Sequence, residues 1–293
     1  MRKIIAALLV LVMLPLTACH VTVNNSIRLA KSDDIHTIVL VSDTQRYAQN
    51  DPITNELMMQ KLVDGKDKYH IEYVVHTGDL VQIPEDDAQW DVAKKSLDIL
   101  NGKIPYGVLA GNHDQVSGED RFSQYRKYFG TDVADDGRAH SQLVKIGSRE
   151  FIFVFISDDP DRASIDYANY IFASNPDKTG VLCTHRFLKE DYSPDDMGQY
   201  MLDNIIKNNK NVSLVLCGHE SAAGCKEITL EDGRTVLSVI ADYQDAETPG
   251  TMMYLQINET DNTLTGLSYS PIEKSYEGYA GTEVDSFTVN LPW

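Results

Sequence analysis

The amino-acid sequence predicts an α/β fold in which two β-sheets pack together with helices outside, on three observations. Apolar runs of strand length alternate with stretches of helical periodicity from His36 to Cys217. Beyond Gly218, strand-like runs follow one another with only turns between them. The first run is apolar throughout, as expected of a strand covered on both faces. Such an order of elements suits two sheets packed together. With 293 residues, 42% hydrophobic and 24% charged, the chain suits one large globular domain or two small ones.

The first strand lies in His36 to Ser42 and ends in Asp43-Thr44-Gln45. Pro52 opens a helix to about Gly65, with Ile53, Leu57, Met58 and Leu62 on one face. Ile71 to Val75 is the next strand, ending in His76-Thr77-Gly78-Asp79. A helix over 85–101 turns Trp90, Ala93, Leu97 and Leu100 inward, and a strand over 105–109 delivers Gly111-Asn112-His113-Asp114. Glu119 to Phe129 reads as a helix. Ser141 to Ile146 and Glu150 to Ile156 form a hairpin about Gly147-Ser148. A helix over Arg162 to Ser174 leads to strand Gly180 to Cys183 and then Thr184-His185-Arg186. A helix over 195–207 returns to strand Val212 to Leu216, which ends in Cys217-Gly218-His219. The remaining runs, 225–230, 234–241, 251–257 and 263–269, read as antiparallel strands. The tail from Ser270, with Tyr276, Tyr279, Phe287 and Trp293, is expected to pack back as one more short strand.

The chain opens Met1-Arg2-Lys3, then runs apolar from Ile4 to Leu14, then Leu16-Thr17-Ala18-Cys19. A basic start, a short apolar core and small residues before a cleavage point read as a secretory signal, and the run is short for a bilayer span. Leu-Thr-Ala-Cys resembles a bacterial lipobox, which implies a lipidated Cys19. The expected organisation is a signal peptide over 1–18, a tether over 19–35, a domain over 36–270 and a tail over 271–293. It predicts an extracytoplasmic protein, lipid-anchored to the bacterial cell membrane. Cys183, Cys217 and Cys225 remain, an odd number without a short metal-binding spacing, open to a disulfide or to buried thiols. The net charge of −18 repels nucleic-acid backbones, so no nucleic-acid partner is expected. Oligomeric state has no signal in the sequence.

Five strand ends carry residues suited to holding a metal: Asp43 with Gln45, Asp79, Asn112 with His113, His185, and His219. Open α/β sheets place their sites at the carboxyl ends of strands. One such residue is usually a cap or hydrogen-bonding partner, but five in succession point to one centre. Carboxylate, amide oxygen and imidazole together suit a divalent transition ion better than Ca²⁺ or Mg²⁺ alone.

In this order the residues resemble the calcineurin-like metallophosphoesterases, whose series runs Asp-x-His, Gly-Asp, Gly-Asn-His-Asp/Glu, a lone His, and Gly-His-x-His. Here it reads Asp43-Thr44-Gln45, Gly78-Asp79, Gly111-Asn112-His113-Asp114, His185 and Gly218-His219-Glu220-Ser221, within a resemblance over roughly 36 to 270. The resemblance implies a four-layer αββα sandwich of two mixed sheets and a centre of two divalent metal ions (Mn, Fe, Zn or similar). Asp79 would bridge the ions, and Asn112, His185 and His219 would complete one site. His113, with Asp114 beside it in the motif, would be catalytic, His113 touching the substrate phosphate and protonating the leaving group. Gln45 and Ser221 stand where the family has histidines, so the second ion, on Asp43, Gln45 and Asp79, is expected to be weakly held. Glu220, one position off, is an alternative ligand there. Arg46 and Arg186, each just past a ligand, are candidate clamps for a small phosphorylated substrate.

The reading is a metal-dependent phosphoesterase, monoester or diester, that uses a metal-activated water. Two rivals stand beside it. A weakened scaffold would hold one metal and bind a phosphorylated ligand without turnover, and a surface interaction protein would bind no metal. Assay of aryl phosphate esters with Mn²⁺ separates the first from an enzyme.

Overall fold

The computed structural model describes residues 28–130, 136–276, 278 and 285–293. The expected signal segment, Cys19, the first part of the tether and Tyr279 lie outside the described residues. Twelve strands form two sheets among them. In the first sheet, β1 (Ile35–Val41), β2 (Ile71–His76) and β3 (Tyr106–Val108) run parallel. On the other side of β1, β10 (Met252–Asn258), β11 (Thr263–Tyr269) and β12 (Ser286–Asn290) add antiparallel, giving the order β12-β11-β10-β1-β2-β3. The second sheet has the order β4-β5-β6-β7-β9-β8. Its strands are β4 (Ala139–Ile146), β5 (Arg149–Ile156), β6 (Thr179–Thr184), β7 (Val212–Cys217), β8 (Ala223–Thr229) and β9 (Thr235–Ala241).

Period-two alternation splits each apolar strand between two cores. Ile38, Leu40, Tyr73 and Val75 of the first sheet meet Phe151, Phe153, Phe155, Leu214 and Leu216 of the second. Val39, Val41 and Val74 face away, into a core shared with α2 (Pro52–Tyr69) and α3 (Asp87–Asp98). Ile152, Val154, Ile156 and Val215 face the opposite way, against α5 (Arg162–Ser174) and α6 (Asp196–Met201). The result is helix, sheet, sheet, helix: the expected αββα sandwich.

Several element boundaries differ from the sequence reading. The helix expected to stop near Gly65 continues to Tyr69, because Gly65 leaves room for the Tyr69 ring rather than ending the helix. Asp51 caps that helix by accepting from Thr54 N–H at 3.1 Å, with Pro52 in the first turn. A short helix not foreseen, α1 (Gln45–Asn50), precedes it. The helix expected from Glu119 begins only at Ser123 (α4, Ser123–Phe129), after a positive-φ Gly118. The helix expected over 195–207 is α6 followed by a π-helical turn, Leu202–Ile206, which seats Ile205 and Ile206 in the core. The run of antiparallel strands is corrected at β9, which lies parallel to β7 and leaves β8 as the sheet edge. Residues 28–34, assigned to the tether, lie against the domain, with Leu29 buried and Ala30 hydrogen-bonded to Gln256. The tail supplies β12, with Phe287 buried between the sheets. Cys183, Cys217 and Cys225 are buried free thiols.

No helix among the described residues is long and apolar enough to cross a membrane.

Candidate metal centre

The parallel strands of both sheets end at one edge, and each hands a loop to the same place. Asp43 follows β1, Asp79 follows β2, Asn112 and His113 follow β3, His185 follows β6, and His219 follows β7. Three of these residues hold a left-handed backbone, Asp43 at φ 56°, Asp79 at φ 54° and His219 at φ 74°. Non-glycine residues rarely sit there, and such strain collects at functional sites. The motif glycines let the loops close up. A Cβ on Gly111 would lie 2.1 Å from Asp79 Oδ1, and one on Gly218 would lie 2.5 Å from Asp43 Oδ2.

His185 Nε2 is the focus of one half of the centre. Its Nδ1–H donates to the Thr77 carbonyl at 2.8 Å, which leaves the Nε2 lone pair free in the neutral ring. That lone pair meets Asn112 Oδ1 at 3.0 Å, Asp79 Oδ1 at 3.3 Å and His219 Nδ1 at 3.2 Å. The amide and carboxylate oxygens are acceptors and have no proton to offer. The other half lies across Asp79, whose Oδ2 accepts from Gln45 Nε2 at 3.3 Å. Asp43 Oδ1 and Gln45 Oε1 are buried without a hydrogen-bond partner. Buried oxygens without partners cost about 1–3 kcal/mol each, and a cation removes that cost. The donors present therefore fit divalent ions. Carboxylate and imidazole atoms of Asp43, Asp79 and His185 come within 4.8 Å of one another.

The electrostatics agree. Burial first, then the carboxylates of Asp242 and Asp79, push the Asp43 carboxyl well above its usual range. Burial holds the Asp242 carboxyl at about 6. Burial, then His185 and Arg186, lower the His219 imidazole to about 4, so it is neutral and able to ligate at pH 7. Acids crowded in a buried space want positive charge beside them.

His113 stands at the rim with its imidazole 37% exposed and its Nε2 4.0 Å from Asp79 Oδ2. Gln82 holds the far nitrogen, its Nε2 3.1 Å from His113 Nδ1. Asp114 does something different from its motif neighbour. It is fully buried, and its carboxylate accepts from Leu80 N–H, Val81 N–H and Gly111 N–H at 2.8, 3.0 and 2.8 Å. It ties the loops after β2 and β3 together. Arg186 pairs with buried Asp158 at 3.0 Å, beside a cavity of about 220 Å³ lined by Arg121, Asp158, Asp159, Arg186 and Met197. Arg46 pairs with Asp245, which also accepts from Ser221 Oγ at 3.1 Å.

Gln82, Asp158, Asp242, Gln244 and Asp245 escaped the sequence reading. For Asp242 the signal was present, since it follows strand β9 just as the other acids follow theirs.

A family model described as calcineurin-like phosphoesterase matches residues 36–222. The uncharacterized protein YvnB of Bacillus subtilis (strain 168) is 30% identical over 295 residues, covering 93% of this chain and 23% of YvnB. This chain thus spans under a quarter of that relative's length. Purple acid phosphatase PPD1 from yellow lupin (Lupinus luteus) seeds superposes with a TM-score of 0.60 at 15% identity, over 87% of this chain and 54% of that one. GAP50, the anchor in the inner membrane complex of Plasmodium, superposes with a TM-score of 0.54 at 10% identity, over 88% of each chain. At these identities the likeness to the two structures is one of fold.

Proposed function

This chain belongs to the calcineurin-like phosphoesterase family, and from that premise we propose that it hydrolyses a phosphomonoester or phosphodiester of a small extracytoplasmic substrate with two divalent ions. One observation carries the reading: Asp79 sets Oδ1 beside His185 Nε2 and Oδ2 beside Gln45 Nε2, and Asp43 Oδ1 and Gln45 Oε1 are buried without hydrogen-bond partners. Asn112, His185, His219 and Asp79 would hold one ion, and Asp43, Gln45 and Asp79 the other. Ions there supply Lewis-acid polarisation of the phosphoryl oxygens and acidify a water nucleophile.

The chain's own groups do the rest. As the imidazolium, His113 would donate Nδ1–H to the Gln82 backbone carbonyl at 3.4 Å and give its Nε2 proton to the leaving oxygen as general acid, ending as the neutral ring. Its backbone N–H donates to Asp79 Oδ1 at 2.9 Å, so the motif that carries the acid also orients the shared carboxylate. Arg186, which lines the cavity with Asp158, would bind a phosphate oxygen or the remainder of the substrate, and Arg46 would be a second such clamp. The test is elemental analysis of the purified protein paired with a panel of aryl phosphate mono- and diesters in added Mn²⁺. We expect bound metal and turnover of at least one ester class. Metal without turnover supports the single-metal binding scaffold, and no metal at all sinks both.

For the anchor, we infer lipidation at Cys19. Cys19→Ala should release the protein from the membrane fraction or block its processing. Unchanged membrane attachment of that variant would overturn the idea.

A further inference from the structure

The cavity lined by Arg121, Asp158, Asp159, Arg186 and Met197 is tied to the loops that carry the metal-type residues. Arg186 follows His185 directly. Asp158 donates its backbone N–H to the Ala110 carbonyl at 2.8 Å, just before Gly111 and Asn112. Its carboxylate accepts from Gln115 Nε2 at 3.0 Å, two residues past His113. The charge of Arg186 also helps to lower the His219 imidazole, so that guanidinium lies within electrostatic reach of the centre. At about 220 Å³ the cavity falls below the roughly 300–1,000 Å³ that suits drug-sized ligands, and it takes a short chain or one small ring. No aromatic side chain lines it among the described residues, so a nucleobase would find nothing to stack on. Its charges come in pairs, Arg186 with Asp158 at 3.0 Å and Arg121 with Asp159. A second phosphate, a carboxylate or an ammonium would meet the like member of each pair beside the opposite one. A hydroxyl both donates and accepts, and it can join a pair without separating it. The donors for this are unspent. Arg186 Nε–H is buried without a hydrogen-bond partner, and among the described residues Arg121 bonds through Nη1 alone, to Asp159.

We propose that this cavity is the subsite for an alcohol of the phosphoester, and that the alcohol is a small polyol with vicinal hydroxyls, such as glycerol. The hydroxyls would add to the Arg121–Asp159 and Arg186–Asp158 pairs, accepting from the guanidiniums and donating to the carboxylates. The proposal rests on the hydrolase reading above and names the substrate class for it. A site built to hydrogen-bond a hydroxyl discriminates against the analogue that lacks it, because its own polar groups are then left unpaired.

The test compares kcat/KM of the full-length protein, in added Mn²⁺, for glycerol 1-phosphate, propyl phosphate, O-phosphoserine and 3-phosphoglycerate, each also as its methyl diester. Nitrophenyl esters serve as the reference for turnover. The glycerol ester should be favoured over the propyl ester by about 10–100-fold, two hydroxyls each adding hydrogen bonds. Asp159→Gly suits the φ of 58° at that position and removes one carboxylate from the cavity. It should cut the glycerol preference several-fold and, with Arg121 left unpaired, shift the order of preference towards 3-phosphoglycerate. Should that variant fail to fold, Arg121→Met must narrow the glycerol preference in the same way. Equal rates on the glycerol and propyl esters would overturn this proposal alone. So would a wild-type preference for phosphoserine or phosphoglycerate, an unaltered order of preference in the variant, or nitrophenyl turnover with no cleavage of the glycerol ester. No turnover of any ester, nitrophenyl included, would overturn the hydrolase reading itself, and this proposal with it.

Discussion

On the two-ion reading, Asp79→Asn should fold, lose at least one ion, and turn over phosphoesters on the order of 10³-fold or more slowly, since it removes the charge shared by the whole centre. Folding is expected to survive because position 79 has φ 54°, a backbone that Asn adopts more readily than most residues. The direction in which the new amide settles follows from its neighbours. The backbone N–H of His113 donates to Oδ1 at 2.9 Å, so the amide oxygen must stay there. The NH₂ then takes the place of Oδ2, where it meets Gln45 Nε2, itself a donor. Two NH₂ groups face each other, and the ion on the Asp43 and Gln45 side is lost first. The ion on His185, His219 and Asn112 keeps an oxygen from position 79 and is weakened less. Metal content should therefore drop towards one per chain or below, with the rate falling further than the metal content alone explains. A fully metallated and active Asp79→Asn protein would mean that the centre is misassigned.

What was legible in the sequence follows a single physical rule. A strand buried on both faces must be apolar along its length, so a polar residue at its end stands out. Asp43, Asp79, Asn112, His185 and His219 all announced themselves in that way, and the structure brings them to one edge. Sheet order was much less legible. The runs over 223–229 and 235–241 are adjacent in sequence and form a hairpin, as expected of two successive antiparallel strands. That the second of them lies parallel to β7 depends on which edge of β7 was free, a tertiary matter with no local signature. Helix ends failed where one residue had two possible meanings. Gly65 resembles a stop but makes space for a ring, and Asp196 to Ile206 has helical periodicity up to a π-helical turn that only core packing explains. At the site itself, the residues that were missed act through others. Gln82, Gln244 and Asp245 are exposed or half-buried polar residues on loops, of a kind found throughout the surface. Their importance comes from the atoms they hold, which no spacing reveals. Asp114 shows the converse, since its motif position suggested chemistry while its carboxylate is consumed by three backbone amides.

His113→Ala should keep the metal content of wild type and lose rate by about 10²–10⁴-fold, the range expected for a general acid. The two halves of that statement rest on different atoms. The link from residue 113 to Asp79 Oδ1 is made by the backbone N–H, which alanine retains, so the metal ligands stay in place. The imidazole contributes Nε2, 4.0 Å from Asp79 Oδ2, on a ring steadied by Gln82 at Nδ1 and open enough to meet a substrate. If that ring delivers a proton, the size of the loss must depend on how badly the leaving oxygen needs one. An alkoxide leaves with difficulty unless protonated, whereas a nitrophenolate is stable by itself. The variant should therefore lose most with alkyl esters and least with nitrophenyl esters, and the slope of rate against leaving-group pKa should steepen relative to wild type. Metal content measured on the same samples separates this from damage to the centre. An equal loss across leaving groups, with the ions retained, would show that the ring only binds the phosphoryl group and that the acid is another residue or a water.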